Sequence, residues 1–173
     1  MPLSNDSQRL VDFYKNEYPN GSGYFIDEIL NKSDSALENS HDFIQWLFPL
    51  KERSVMQPES APPINDECVE IFKKELQPKM LQVLKRMLDF YGLIERPAAF
   101  GVIEISRKPD FKPHWITGHN HNFLRITRIL KSLRLMGLEY CAKSLKKCLD
   151  DIYKDYAPVI SPKTYEFWNE AMK

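Results

Sequence analysis

Residues 119–138 read HNHNFLRITRILKSLRLMGL, and the spacing of apolar side chains in this stretch decides the fold class. At roughly 100° of rotation per residue, Phe123, Ile126, Ile129, Leu130, Leu133 and Met136 fall on one side. The spacing predicts an amphipathic helix with that side turned to a core. Arg125, Arg128, Lys131 and Arg134 recur every third residue as a slanting basic stripe on the opposite side. Leu124 and Leu135 interrupt the stripe, so it too is expected to be partly covered. Asn120 or Asn122 suits the N-cap, because a short carboxamide accepts from the orphan amide hydrogens of a first turn. Gly137 suits the residue just past the helix end.

The same period recurs along the chain and predicts an all-α, single compact domain over residues 1–173, with six to eight helices. Residues 6–18 carry Leu10, Phe13 and Tyr14 at helical spacing before the breaker run PNGSG. Residues 24–30 are short and apolar, a loop or a helical turn. Ser40 suits the cap of a helix over residues 41–48, closed by Pro49. Residues 49–64 hold Pro58, Pro62 and Pro63 without periodicity, the pattern of a Pro-rich connector. Asn65 opens a helix through Leu76, and Pro78 marks a boundary that suits the first turn of another over residues 79–91. Residues 94–116 form an irregular insertion with three prolines around the strand-like run VIEI. Residues 139–156 are periodic again, and Ser161 followed by Pro162 is a helix start.

Composition narrows the function classes. The chain has 173 residues, 43% hydrophobic, enough for a core that needs neither disulfide nor metal. Cys68, Cys141 and Cys148 are an odd set; the last two, on one helix, are about 10 Å apart and too far to bond. They read as reduced thiols in a reducing compartment. No apolar run approaches the roughly 20 residues of a membrane span, and the first ten residues lack the pattern of a signal peptide. A soluble, cytoplasmic protein without a transmembrane segment is the expectation. Net charge is zero, yet residues 1–70 hold 5 basic and 13 acidic side chains and residues 71–173 hold 19 and 11. The halves can attract each other; the interleaving of acids among the bases, without a recognisable motif, argues against nucleic acid.

Two polar constellations are candidates for a site. His119, His121, Asn122 and Arg125 sit beside a helix N-terminus, where amide hydrogens and the dipole favour a phosphate or carboxylate. His119 and His121, with His114 nearby, are also metal-ligand types, but no third carboxylate or thiolate stands near, so neither metal nor cofactor is expected. Equally, these side chains can cap the helix while the arginines pair elsewhere. In HDFIQWLFPL, residues 41–50, His41 and Gln45 are four apart, with Trp46 flanking that edge of the expected helix. If the two helices meet, His41, Gln45, Trp46, His121, Asn122, Arg125 and Arg128 line a cleft suited to a small anionic or peptide ligand with an aromatic part. A protein partner is a further expectation. Packing alone is the competing account.

Three segments also carry a resemblance: HDFIQWLFPL, MLDFYG at residues 87–92, and the HN-x-LRITRIL helix. In that order, and over roughly residues 13–168, they are similar to the opioid growth factor receptor conserved-region family. His41, Gln45, Trp46, Asn122, Arg125 and Arg128 match its pattern. The resemblance implies an all-helical domain, a receptor for a short opioid peptide of the enkephalin type, and nuclear or perinuclear association. The alternative is an enzyme acting on a phosphate- or carboxylate-bearing substrate, with His41 or His121 as base and the arginines on an oxyanion. No catalytic residue is assigned, since GxSxG, HExxH, CxxC and a glycine-rich phosphate loop are all absent.

Overall fold

A computed structural model describes residues 3–173. The chain forms two compact units, one ending at Val83 and one spanning Leu84–Lys173. Helix predominates, and the exception is a two-stranded antiparallel sheet. Among the described residues no helix is long and apolar enough to cross a membrane.

The first unit opens with α1 (Asn5–Tyr14), whose cap Ser4 accepts from the Ser7 amide at 3.2 Å. It stops four residues short of the expected end. Asn16 takes a left-handed backbone, φ 62, and the Glu17 amide turns back to the Asp12 carbonyl at 2.8 Å. Asparagine here plays the part that glycine usually plays after a helix. Residues 24–30 resolve as a helical turn, α2 (Ile26–Leu30), locked by Glu28 accepting from the Phe25 amide. The short α3 (Asp34–Glu38) follows, capped by Ser33.

Helix α4 (Ile44–Leu47) is a single turn, so the helix expected from His41 does not form. Ser40 is engaged with the preceding helix instead, its hydroxyl donating to the Ala36 carbonyl at 2.8 Å. Residues 41–43 bend, and no side chain caps the turn that follows.

Aromatic packing builds this unit's core. The Phe13 ring lies 5.2 Å from Trp46, and Tyr14 meets Phe72 edge-on at 4.5 Å. The buried Tyr14 hydroxyl donates to the Leu47 carbonyl. Residues 49–64 carry no helix or strand but are tied down: the Trp46 indole donates to the Ser60 carbonyl, the Ile64 amide to Leu50, and Ala61 and Ile64 are buried.

Helix α5 (Asp66–Ile71) begins at Asn65, whose side chain accepts from Cys68 at 3.1 Å and from Ser7 of α1 at 3.0 Å. It continues through a π-helical turn (Phe72–Leu76) into α6 (Gln77–Phe90). Pro78 therefore widens the helix rather than ending it. Its ring and missing amide cannot fit a regular ladder four residues back, and the wider π turn just before it absorbs the defect.

In the second unit, β1 (Leu93–Pro97) pairs antiparallel with β2 (Ile103–Arg107), Glu95 opposite Ile105. The strand-like run of the sequence thus has its partner just upstream, inside a segment whose proline and charges mask it. The connection passes through Phe100 and Gly101, both at positive φ. Helices α7 (Asn122–Leu135), α8 (Glu139–Tyr156) and α9 (Pro162–Glu170) complete the unit. Helix α8 packs on β2 and α7, and α7 also meets α9. Gly137 ends α7 at φ 78, with the Leu138 amide returning to Leu133 at 2.8 Å. Ser161 accepts from Thr164 at 3.3 Å, with Pro162 in the first turn.

Candidate functional site

The start of α7 is set by Asn120. Its side-chain oxygen accepts from the Asn122 amide and its nitrogen donates to Thr117, both at 2.9 Å. Just before it His119 holds φ 56, a strained value for a residue with a Cβ. Asn120 thus serves the helix end, and Asn122 lies within the first turn, fully buried.

Asn122 is the acceptor of a buried network. Its Oδ1 receives the Tyr91 hydroxyl at 3.4 Å and Nη1 of Arg125 at 3.2 Å. Arg125 is only 6% exposed. Beneath runs a chain of edge-to-face rings: Tyr91 to Trp115 at 5.4 Å, Trp115 to Phe123 at 6.3 Å, Phe123 to Trp168 at 6.1 Å. Trp115 also donates to the Tyr91 carbonyl at 3.0 Å. Each aromatic polar handle has a partner, as burial demands.

The basic stripe is therefore split by depth. Arg125 is inside, Arg128 is half-buried, Lys131 is exposed, and Arg134 pairs with Glu139 at 2.8 Å while also donating to the Ala171 carbonyl at 3.0 Å. Of the two interruptions, Leu124 is exposed and Leu135 is half-buried. Desolvation pushes Arg128 down to about 10, which leaves it cationic at neutral pH. His121, Arg125 and Arg128 are spaced four and three residues apart, hence on one side of the helix start, and His121 is half-buried.

In the first unit the candidates separate. His41 is exposed and precedes α4, whereas Gln45 and Trp46 are buried within it. The shared edge expected for His41 and Gln45 needs a continuous helix from residue 41, and the chain there is a bend. Trp46 spends its indole hydrogen on Ser60, and its ring meets the tilted Phe13 ring at 5.2 Å and the Arg9 guanidinium at 5.9 Å. Asp42 accepts from the Ser22 hydroxyl.

Sequence reasoning missed Tyr91 and Trp115 as builders of the α7 start. Tyr91 reads as the apolar end of the helix over residues 79–91 and Trp115 lies in the irregular insertion, and the only signal was that a buried phenol and a buried indole each require an acceptor. The thiols of Cys68, Cys141 and Cys148 are buried and pushed up by that burial to about 12, 11 and 11. An activated sulfur nucleophile needs the opposite shift. Among the described residues no three His, Cys, Asp or Glu side chains gather as a metal site would require.

Comparison with known proteins matches residues 4–172 to the family described as the opioid growth factor receptor (OGFr) conserved region. The chain is similar to the opioid growth factor receptor of Mus musculus, 42% identical over 140 residues, covering 75% of this chain and 21% of that protein. The Homo sapiens receptor is 39% identical over 138 residues, 75% and 20% of the two chains. Opioid growth factor receptor-like protein 1 of Mus musculus is 33% identical over 168 residues, 90% and 35%. The chain thus spans between a fifth and about a third of these relatives' length. No solved structure matches it.

Proposed function

The chain belongs to the opioid growth factor receptor conserved-region family, and we propose that it is a peptide-binding module that receives the carboxylate of a short opioid peptide at Arg128. The relatives' name supplies the ligand class, and the α7 start supplies the chemistry. In this reading the Tyr91–Asn122–Arg125 network is a positioning device. It fixes the first turn of α7, so that His121 and Arg128 present from a rigid base.

The observation that carries the reading is the state of Arg128, a guanidinium that remains charged at a half-buried place beside the start of α7. A cation in such a place interacts with an anion more strongly than one on the surface, and a guanidinium grips a carboxylate through two parallel hydrogen bonds.

Calorimetric titration with an enkephalin pentapeptide tests this, using the free acid and the C-terminal amide. The free acid is expected to bind at least about tenfold tighter, since hydrogen bonds to charged groups contribute roughly 1.5–3 kcal/mol. Arg128→Gln is expected to remove that difference while the protein stays folded. Equal binding of acid and amide, or no binding of either, overturns the proposal.

A further inference from the structure

The two outer edges of the β1–β2 hairpin differ: helix α8 engages that of β2, and among the described residues no strand pairs with that of β1. The Ala98 amide donates to Val102 at 2.8 Å and the Lys108 amide to Gly92 at 3.0 Å, which sets the alternation of the ladder. Ile94–Ser106 and Arg96–Glu104 are then the pairs that exchange hydrogen bonds, and Glu95–Ile105 is a pair that does not. On β2 the amide of Ile105 that points away from β1 is taken by the Ser144 hydroxyl of α8 at 2.8 Å. On β1 the matching outward groups are the amide and carbonyl of Glu95, flanked by those of Leu93 and the carbonyl of Pro97. Among the described residues no strand covers this edge; it is exposed at Arg96 and Pro97, half-buried at Glu95 and buried at Leu93.

The hairpin tip adds a second observation. Pro97, Ala98, Ala99 and Phe100 are all exposed, with the Phe100 ring standing wholly in solvent on a left-handed backbone, φ 60. An uncovered strand edge beside an exposed aromatic is a template for strand addition.

Charge selects the occupant. A second copy of the chain, paired about a two-fold axis so that the Glu95 groups bond each other, sets two carboxylates directly opposite, an unfavourable cross-strand pair. A foreign strand with a cation at that position meets Glu95 favourably and an acid next to it meets Arg96. We propose that the outer edge of β1 pairs with an extended segment of a partner protein as an antiparallel third strand, a basic residue opposite Glu95 and an apolar one at the hairpin tip.

The probe is acetyl-Phe-Glu-Lys-Ile-Val-amide, which runs antiparallel to β1 with lysine opposite Glu95. It is expected to shift the amide resonances of Leu93–Pro97 and slow hydrogen exchange at Glu95. N-methylation of the peptide at lysine removes the hydrogen that the Glu95 carbonyl accepts and should weaken binding at least about tenfold. Replacing the peptide lysine with glutamate should weaken it further. Glu95→Pro deletes the outward amide at an edge position where proline is tolerated and should abolish binding; if that variant unfolds, the N-methyl comparison on the unaltered protein still decides. Absence of binding at millimolar peptide, equal binding of the N-methyl peptide, or resonance shifts confined to other elements overturns the proposal. Protection of the Glu95 amide that rises with protein concentration alone overturns it in favour of a second copy.

Discussion

The Trp168 indole donates to the Phe123 carbonyl at 3.2 Å and lays its ring edge-on to the Phe123 ring, so α9 holds the first turn of α7 by a hydrogen bond and an aromatic contact together. Trp168 is fully buried. Trp168→Phe retains most of the apolar contact and loses the hydrogen bond, and should cost about 1–2 kcal/mol. Trp168→Ala also opens a cavity and should cost about 3–5 kcal/mol. Urea unfolding of the two variants checks the ordering.

Asn122 and Arg128 should behave oppositely although both belong to the α7 start. Asn122→Ala leaves the Tyr91 hydroxyl and the Arg125 guanidinium without the acceptor they share, at about 1–3 kcal/mol of stability. Arg128→Gln, at a half-buried position, should act on peptide affinity, with a smaller change of the unfolding midpoint than Asn122→Ala. Parallel denaturation and titration of both variants separates a residue that builds the helix start from one that uses it.

Alkaline stability follows from four buried acids. Burial holds the protons of Cys68, Cys141 and Cys148 above their ordinary value of 9.0, and that of Tyr14 above 10.0. Between ordinary and raised values the unfolded chain binds fewer protons than the folded one, so stability falls as pH rises. The contribution is intact below about pH 9 and is lost progressively up to the folded-state values near 11 and 12. Arg128, shifted down, works in the other direction from about 10 upward, but it is one group against four. Melting temperature against pH from 8 to 11.5 should show the decline, and a thiol reagent at pH 8 should label the cysteines only after denaturant is added.

Phe100→Gly should stabilise the protein, although it deletes a large aromatic side chain. The ring makes no buried contact and the residue sits at φ 60, where a Cβ costs roughly 1–2 kcal/mol and glycine nothing. A gain of about 1 kcal/mol in unfolding free energy is expected, reduced by the greater freedom of glycine in the unfolded chain. A loss of stability would show that the ring is packed in solution.

Local signals are legible where a few neighbouring residues complete the structure. Ser161 and Pro162 start α9, Gly137 closes α7, and α8 occupies the residues its periodicity assigned. The partner of the VIEI strand was not legible, because pairing with Leu93–Pro97 depends on a turn through a phenylalanine at positive φ that propensity argues against. Nor was the brevity of α4, since the apolar spacing over residues 41–48 fits a helix and only the bent backbone at residues 41–43 shows that it begins at Ile44. In the candidate site, Asn122, Arg125 and Arg128 were legible as a polar group at one helix start. Tyr91, 31 residues from Asn122, was not.

By itself the order of residues determined that this chain is mainly helical, where its best-capped helices begin and end, and which family it belongs to, because caps, periodicity and motif spacing all act within a few turns of chain. Only the tertiary structure decided which members of the basic stripe keep contact with water. Arg125 and Leu124 are neighbours in sequence, yet the arginine is inside and the leucine outside. A buried guanidinium is tolerable only where acceptors converge on it, and the Asn122 oxygen that receives it is held by a tyrosine from the end of another helix.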